Sequence, residues 1–135
     1  KVGLITVLGE IPVHVEFFEN PEQVAREKRN LIACLKEDEV AVLNYDDEKV
    51  KEDINNFDDF KTMKFGFKEK NDIFASDIRE NGGTNFKVNY RGKIVPFWLD
   101  GLVGKEQIYA ILAAISVGTI LGLNLVEISQ SLREK

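Results

Sequence analysis

The chain has 135 residues, 44% of them hydrophobic, and its 18 Lys+Arg against 23 Asp+Glu give a formal net charge of −5. That length suits one globular core and is too short for two ordinary domains, while 30% charged and 10% aromatic residues exclude a disordered chain. The acidic balance leaves no electrostatic footprint for nucleic acid as the main partner.

The run Leu4-Ile5-Thr6-Val7-Leu8 is short, apolar and β-branched, which predicts a strand buried on both faces. The only methionine is Met63, and Lys1 leads straight into this run. An excised piece of a longer protein is therefore expected, with signal-peptide removal as the alternative. The loop Gly9-Glu10-Ile11-Pro12-Val13-His14 follows. Asn20-Pro21-Glu22-Gln23 then offers an N-cap, a proline at the first helical position and a glutamine three residues after the cap, predicting a helix over 21–35. Val24, Lys28, Leu31, Ile32 and Leu35 share its buried stripe. A lone Cys34 excludes a disulfide framework and a Cys-based zinc site. Its neighbours suggest a buried small hydrophobe, and a reducing, cytoplasmic setting is the default.

Residues 40–43 predict a second buried strand, and Asp46-Asp47-Glu48-Lys49-Val50 opens a second helix with acidic residues at its positive end. Residues 61–65 predict a third strand, closed by Gly66. Strands alternating with helices imply a parallel sheet with right-handed crossovers. After Gly66, the stretches 71–79, 84–90 and 93–99 are strand-like, separated by Asn81-Gly82-Gly83 and Arg91-Gly92. Phe86, Val88 and Tyr90 alternate with Lys87 and Asn89, as in a strand with one wet face. The expectation is a small antiparallel meander of three strands beside the α/β part.

Residues 108–126 carry no charge and reach the length of a membrane span. Gly122 and Asn124 break the run, Asn124 and Glu127 are spaced as a capping box, and no basic cluster flanks either end. Two helices, over 105–121 and 125–133, are expected in place of a span, the first apolar nearly all round and so pressed between layers. The fold class expected is α/β: part of a parallel sheet with flanking helices, the meander, and two C-terminal helices.

Lys28 is unusual by position. It reads either as a lysine that snorkels past the core edge or as a partly dry amine, able to bind an anion, act as a nucleophile or become a carbamate metal ligand. His14, the only histidine, lies in a loop after a strand with Glu10 and Glu16 nearby, where ligands collect in parallel sheets. It reads as a structural hydrogen-bonding residue or as a metal ligand. Asn44, Asp46 and Asp47 follow a strand in the same way. They read as turn and helix caps, or as nucleoside-recognising groups, with the amide on a base edge and a carboxylate on ribose hydroxyls. Gly101-Leu102-Val103-Gly104-Lys105-Glu106 fails as a phosphate loop, because its glycines are too close and Glu replaces the Ser or Thr that would hold Mg²⁺.

Four segments in order, the loop from Thr6 to Glu16, Val24-Ala25-Arg26-Glu27-Lys28, Ala41-Val42-Leu43-Asn44-Tyr45-Asp46-Asp47 and the helix from Gly104 to Ala114, resemble the Mur ligase family of ATP-dependent amide ligases of peptidoglycan precursor synthesis. The likeness is greatest to the branch that adds D-alanyl-D-alanine to a UDP-muramoyl peptide. It covers essentially the whole chain, residues 1–135, as the C-terminal portion of the central ATP-binding domain. The phosphate loop, the UDP-binding domain and the C-terminal domain would then lie outside it. The resemblance implies ATP and Mg²⁺ as cofactors, with His14 and Lys28 as metal ligands, Lys28 through a carbamate. It also implies Asn44 against adenine, Asp46 and Asp47 near the nucleoside, and a fragment inactive alone. Val7, Glu106, Gln107 and Ala110 stand where the family usually has Asn, His, Asn and Asn. A non-catalytic interaction domain derived from such a ligase, or another Mur-type or folylpolyglutamate synthase-like ligase, are the alternatives. Half a parallel sheet would also leave an unpaired edge and an apolar face, which predicts self-association.

Overall fold

The structure is a computed structural model that describes residues 2–6, 20–54, 60–101 and 104–133. In chain order these residues form β1 (Val2–Ile5), α1 (Pro21–Ala33), β2 (Val40–Asn44), α2 (Glu48–Ile54), β3 (Lys61–Gly66), β4 (Ile73–Glu80), β5 (Gly83–Tyr90), β6 (Lys93–Asp100), α3 (Lys105–Ile120) and α4 (Leu125–Arg133). The α/β class, the parallel strands, the meander and the two final helices all stand as expected.

The strands form one sheet in the order β1-β2-β3-β4-β5-β6. β1, β2 and β3 run parallel, with Val2 opposite Val40 and Val42 opposite Met63. β4 joins β3 in parallel through two residue pairs, Phe65 with Ile73 and Gly66 with Phe74, and β4, β5 and β6 are antiparallel. The meander is therefore a continuation of the parallel sheet rather than a separate layer beside it. A full parallel return needs a crossover of a dozen or more residues. Here β4 only comes back alongside the end of β3 before running on past it, and residues 67–72 suffice.

β2 is buried on both faces, as an apolar β-branched run in a parallel sheet should be. Ala41 and Leu43 pack with Ile32 of α1, Leu35 and Val50 of α2. Val42 points the other way, into the larger core that Phe65, Ile73, Phe86, Val88 and Phe97 form with Ile108, Leu112 and Ile115 of α3. Phe86 and Phe97 stack with centroids 5.7 Å apart. α4 is tied to β6 by Ser129 Oγ, which donates to Pro96 O at 2.8 Å.

Several boundaries and exposures differ from the sequence reading. Strand β1 begins at Val2, and Leu4, expected to be buried on both faces, is 37% exposed because β1 is the margin of the described sheet. Helix α1 starts as expected, with Asn20 Oδ1 accepting from Gln23 N at 2.9 Å, but ends at Ala33. Cys34 is its C-cap and is exposed, not buried. Two residues of helix rotation carry it to the side opposite Ile32, and it is Ile32 that faces the sheet. Leu31, at 50% exposure, likewise falls off the buried stripe. In α3 the buried residues are Ile108, Leu112, Ala113, Ile115 and Ser116, while Ala110 and Ala114 face outward. Beyond its polar first turn the helix is apolar nearly all round, yet it is not pressed between layers as expected, because its exposed positions there are the small residues Ala110 and Ala114.

The break after α3 is built as the sequence suggests. Gly122 takes φ 95°, and Leu123 N and Gly122 N donate to Gly118 O and Thr119 O at 3.0 and 3.1 Å, closing the helix in a Schellman motif. Asn124 and Glu127 form the reciprocal capping box, each side chain accepting from the other's backbone N–H at 3.0 Å. Among the described residues no helix is long and apolar enough to cross a membrane.

Candidate functional site

The chain turns sharply where β2 ends, and its side chains make the turn. Asn44, only 5% exposed, accepts from Asp46 N on Oδ1 at 3.1 Å. Asp47 Oδ1 accepts from Lys49 N and Val50 N at 2.9 and 3.3 Å, capping α2. Helix α2 thus opens on Glu48, with Asp47 as its cap and Asp46 outside it.

Asp46 turns back toward the sheet, and its carboxylate links three segments distant in sequence. Phe67 N and the Tyr109 hydroxyl donate to Oδ2 at 2.6 and 3.0 Å, and Asn71 Nδ2 donates to Oδ1 at 3.1 Å. Gly66 makes room for this. A Cβ there would stand 2.5 Å from Asp46 Cγ and Oδ1 and 2.6 Å from Asn71 Nδ2. Burial, the largest single influence, pushes the Asp46 carboxyl up. The hydrogen bonds from Phe67, Asn71 and Tyr109 and the charge of Lys68 together outweigh it, so its pKa is lowered. The Tyr109 phenol is pushed far up, first by burial and then by its bond to Asp46. Tyr109 also meets the Phe67 ring edge-on, with centroids 4.6 Å apart.

Beside this turn lies an open crevice of about 310 Å³, lined by Thr6, Asn44, Asp46, Asp47, Glu106, Tyr109 and Ala110. It sits at the carboxyl ends of β1 and β2, under the first turns of α3. None of these residues is a cation. Three carboxylates, an amide, a hydroxyl and a phenol beside an alanine suit the hydroxyls and base edge of a nucleoside and oppose a phosphate.

The structure therefore brings together Asn44, Asp46 and Asp47 of the residues singled out in the sequence. The capping reading describes what the carboxylates do inside the chain: Asp47 holds α2, and both Asp46 oxygens are engaged. His14 lies outside the described residues. Lys28 lies within α1, but its side chain is outside what is described. Among the described residues no group of three or more His, Cys, Asp or Glu could hold a metal ion. Sequence reasoning missed Asn71, Tyr109 and the reason for Gly66. A phenol on an otherwise apolar helix was a usable signal, since a part-buried hydroxyl needs a partner. Nothing local marks Asn71.

The sheet and crevice define an α/β domain with an open polar crevice at the carboxyl ends of its parallel strands. The profile of the Mur ligase middle domain matches residues 1–118. The chain belongs to the Mur ligase family. It is 28% identical over 123 residues to the UDP-N-acetylmuramate–L-alanine ligase of Caldanaerobacter subterraneus subsp. tengcongensis, covering 90% of this chain and 26% of that protein. The chain thus spans about a quarter of the length of this curated relative. In fold it is similar to MurF from Acinetobacter baumannii, with a TM-score of 0.81 at 22% identity over 97% of this chain and 28% of that one. It is also similar to the MurF ligase of Thermotoga maritima in complex with ADP, with a TM-score of 0.76 at 24% identity over 95% of this chain and 30% of that one.

Proposed function

We propose that this chain is the C-terminal portion of the middle domain of an ATP-dependent amide ligase of peptidoglycan precursor synthesis, working in the cytoplasm, and that the crevice at Asn44 takes the nucleoside of ATP. The observation that carries the reading is the cation-free, amide-and-carboxylate crevice at the carboxyl ends of the parallel strands, in a chain of this family. Asn44 is held for the role by its bond to Asp46 N, which fixes the amide plane and leaves the NH₂ group to a base edge. Asp46 and Asp47 keep the turn rigid and place negative charge near the ribose hydroxyls. Ala110 leaves space where a longer side chain would fill the crevice.

ATP supplies the phosphoryl group that activates a substrate carboxylate for attack by the incoming amine. Mg²⁺ is proposed as its partner ion, with His14 and Lys28, the latter as a carbamate, as the ligands this chain would contribute. The phosphate loop and the domains that hold the UDP-muramoyl peptide and the amine would come from the rest of the protein, so the chain alone does not turn over. The motifs around His14, Lys28 and Asn44 favour D-alanyl-D-alanine as the amine. A specific finding favours L-alanine instead: the curated relative described above is an L-alanine ligase.

The test uses the full-length protein. Asn44→Ala raises KM for ATP by roughly tenfold, the loss expected for a buried amide hydrogen bond to a base, with kcat little changed. Unchanged KM would remove Asn44 from the nucleotide site. Supplying each amine in turn with its UDP-muramoyl acceptor decides between the two products.

A further inference from the structure

Lysines from three segments converge on Tyr45, away from the crevice. Lys64 Nζ of β3 lies 4.2 Å from the ring centroid, Lys70 of the β3–β4 connection 5.4 Å, and Lys51 of α2 5.7 Å. Lys68 joins them through Glu48, whose Oε1 is 3.9 Å from Lys68 Nζ and is also bonded by Lys51. Glu48, an exposed carboxylate, thus pairs with two of the four ammonium groups, and Asp46 adds its charge near Lys51 and Lys68, so the cations of the cluster outnumber these two carboxylates in a chain of net charge −5. Lys64 and Lys70 have no ion-pair partner among the described residues.

Placement adds to charge. Lys64 is opposite Leu43 in the sheet, and Leu43 faces the core beneath α1 and α2. The cluster thus opens on the α2 side of the strands' carboxyl ends, whereas Asn44 opens toward α3. Parallel strands collect ligands at these ends. Ammonium groups gathered around one ring repel one another, and a multiply charged anion relieves that repulsion.

We propose that the lysine cluster around Tyr45 is an anion subsite, separate from the crevice, for a phosphate-type oxyanion with more than one negative charge, such as a diphosphate. Lysines are point charges on flexible stems and close around a tetrahedral oxyanion. A planar carboxylate is matched better by a guanidinium fork, and no arginine is among the cations around the ring. The ring gathers the ammonium groups before the anion arrives, which lowers the ordering cost of binding.

The proposal is tested by NMR titration of the ¹⁵N-labelled chain with sodium pyrophosphate, with sodium chloride at equal ionic strength and sodium succinate as controls. Pyrophosphate alone should give saturable shifts at the amides of Tyr45, Lys64 and Lys70, leaving Glu106 and Ala110 unmoved. Lys64→Gln/Lys70→Gln should weaken that binding roughly tenfold, with its spectrum elsewhere intact. Shifts of the same size with sodium chloride, an equal response to succinate, or unaltered affinity in the double variant would overturn it.

Discussion

Asp46 shows how much one side chain can hold when its partners come from far along the chain. Its carboxylate fixes the end of β2 to the 67–72 connection and to α3 at once. Tyr109→Phe removes one of these bonds and should cost about 1 kcal/mol in urea unfolding. Gly66→Ala should cost more, about 1–3 kcal/mol, because its methyl displaces either the carboxylate or Asn71. An unchanged midpoint in Gly66→Ala would show that the cradle yields freely. The pH dependence follows from the lowered Asp46 pKa. Its contribution is complete above the unfolded value of about 3.9 and is lost as pH falls through the folded value. Asp46→Asn should therefore flatten the acid side of the stability profile below about pH 4. Tyr109 acts in the opposite sense: its raised pKa makes its contribution complete below about pH 10 and lost as pH rises further.

At the scale of elements, α4 hangs on β6 through the Ser129 hydroxyl. Ser129→Ala should lower stability by about 1 kcal/mol, measured by thermal unfolding. Among the described residues the sheet also ends in two open edges. Leu4 on β1 and Ile94 and Trp98 on β6 are 37%, 60% and 36% exposed. Edges of this kind pair with one another, and the chain is expected to self-associate. A constant monomer mass across a concentration series in light scattering would contradict this. Much of the element pattern was legible beforehand because it rests on local chemistry. The Asn20 cap, the buried run of β2, the Gly122 stop and the Asn124–Glu127 box are short-range signals, and all four formed. Other features were not legible because tertiary contacts set them. Exposure of Cys34 depends on which face of α1 meets the sheet, and the fusion of meander and parallel sheet depends on how far β4 returns beside β3. Likewise, Asp46, Asn71 and Tyr109 meet only in the folded chain, with no spacing rule to announce them. Asn44, Asp46 and Asp47 were found because they follow a strand end, where both turn chemistry and ligand chemistry favour such residues.

For the whole molecule, the proposed division of labour, with the nucleoside taken by this chain and the phosphates held elsewhere in a longer ligase, makes a direct prediction. The crevice offers groups for a nucleoside and no cation for phosphates, and the sequence lacks a phosphate loop. Calorimetric titration of the chain with ATP–Mg²⁺ should show weak or no binding, and micromolar affinity would contradict the division. In the proposed function the Asn44 crevice serves nucleotide-driven amide formation. The most direct test measures ADP released by the full-length protein with and without a UDP-muramoyl acceptor and its amine, in wild type and Asn44→Ala. ADP should form in step with amide product only when both substrates are present, with Asn44→Ala needing far more ATP for the same rate. No ADP release with any acceptor and amine, or the same ATP dependence in both proteins, would contradict it.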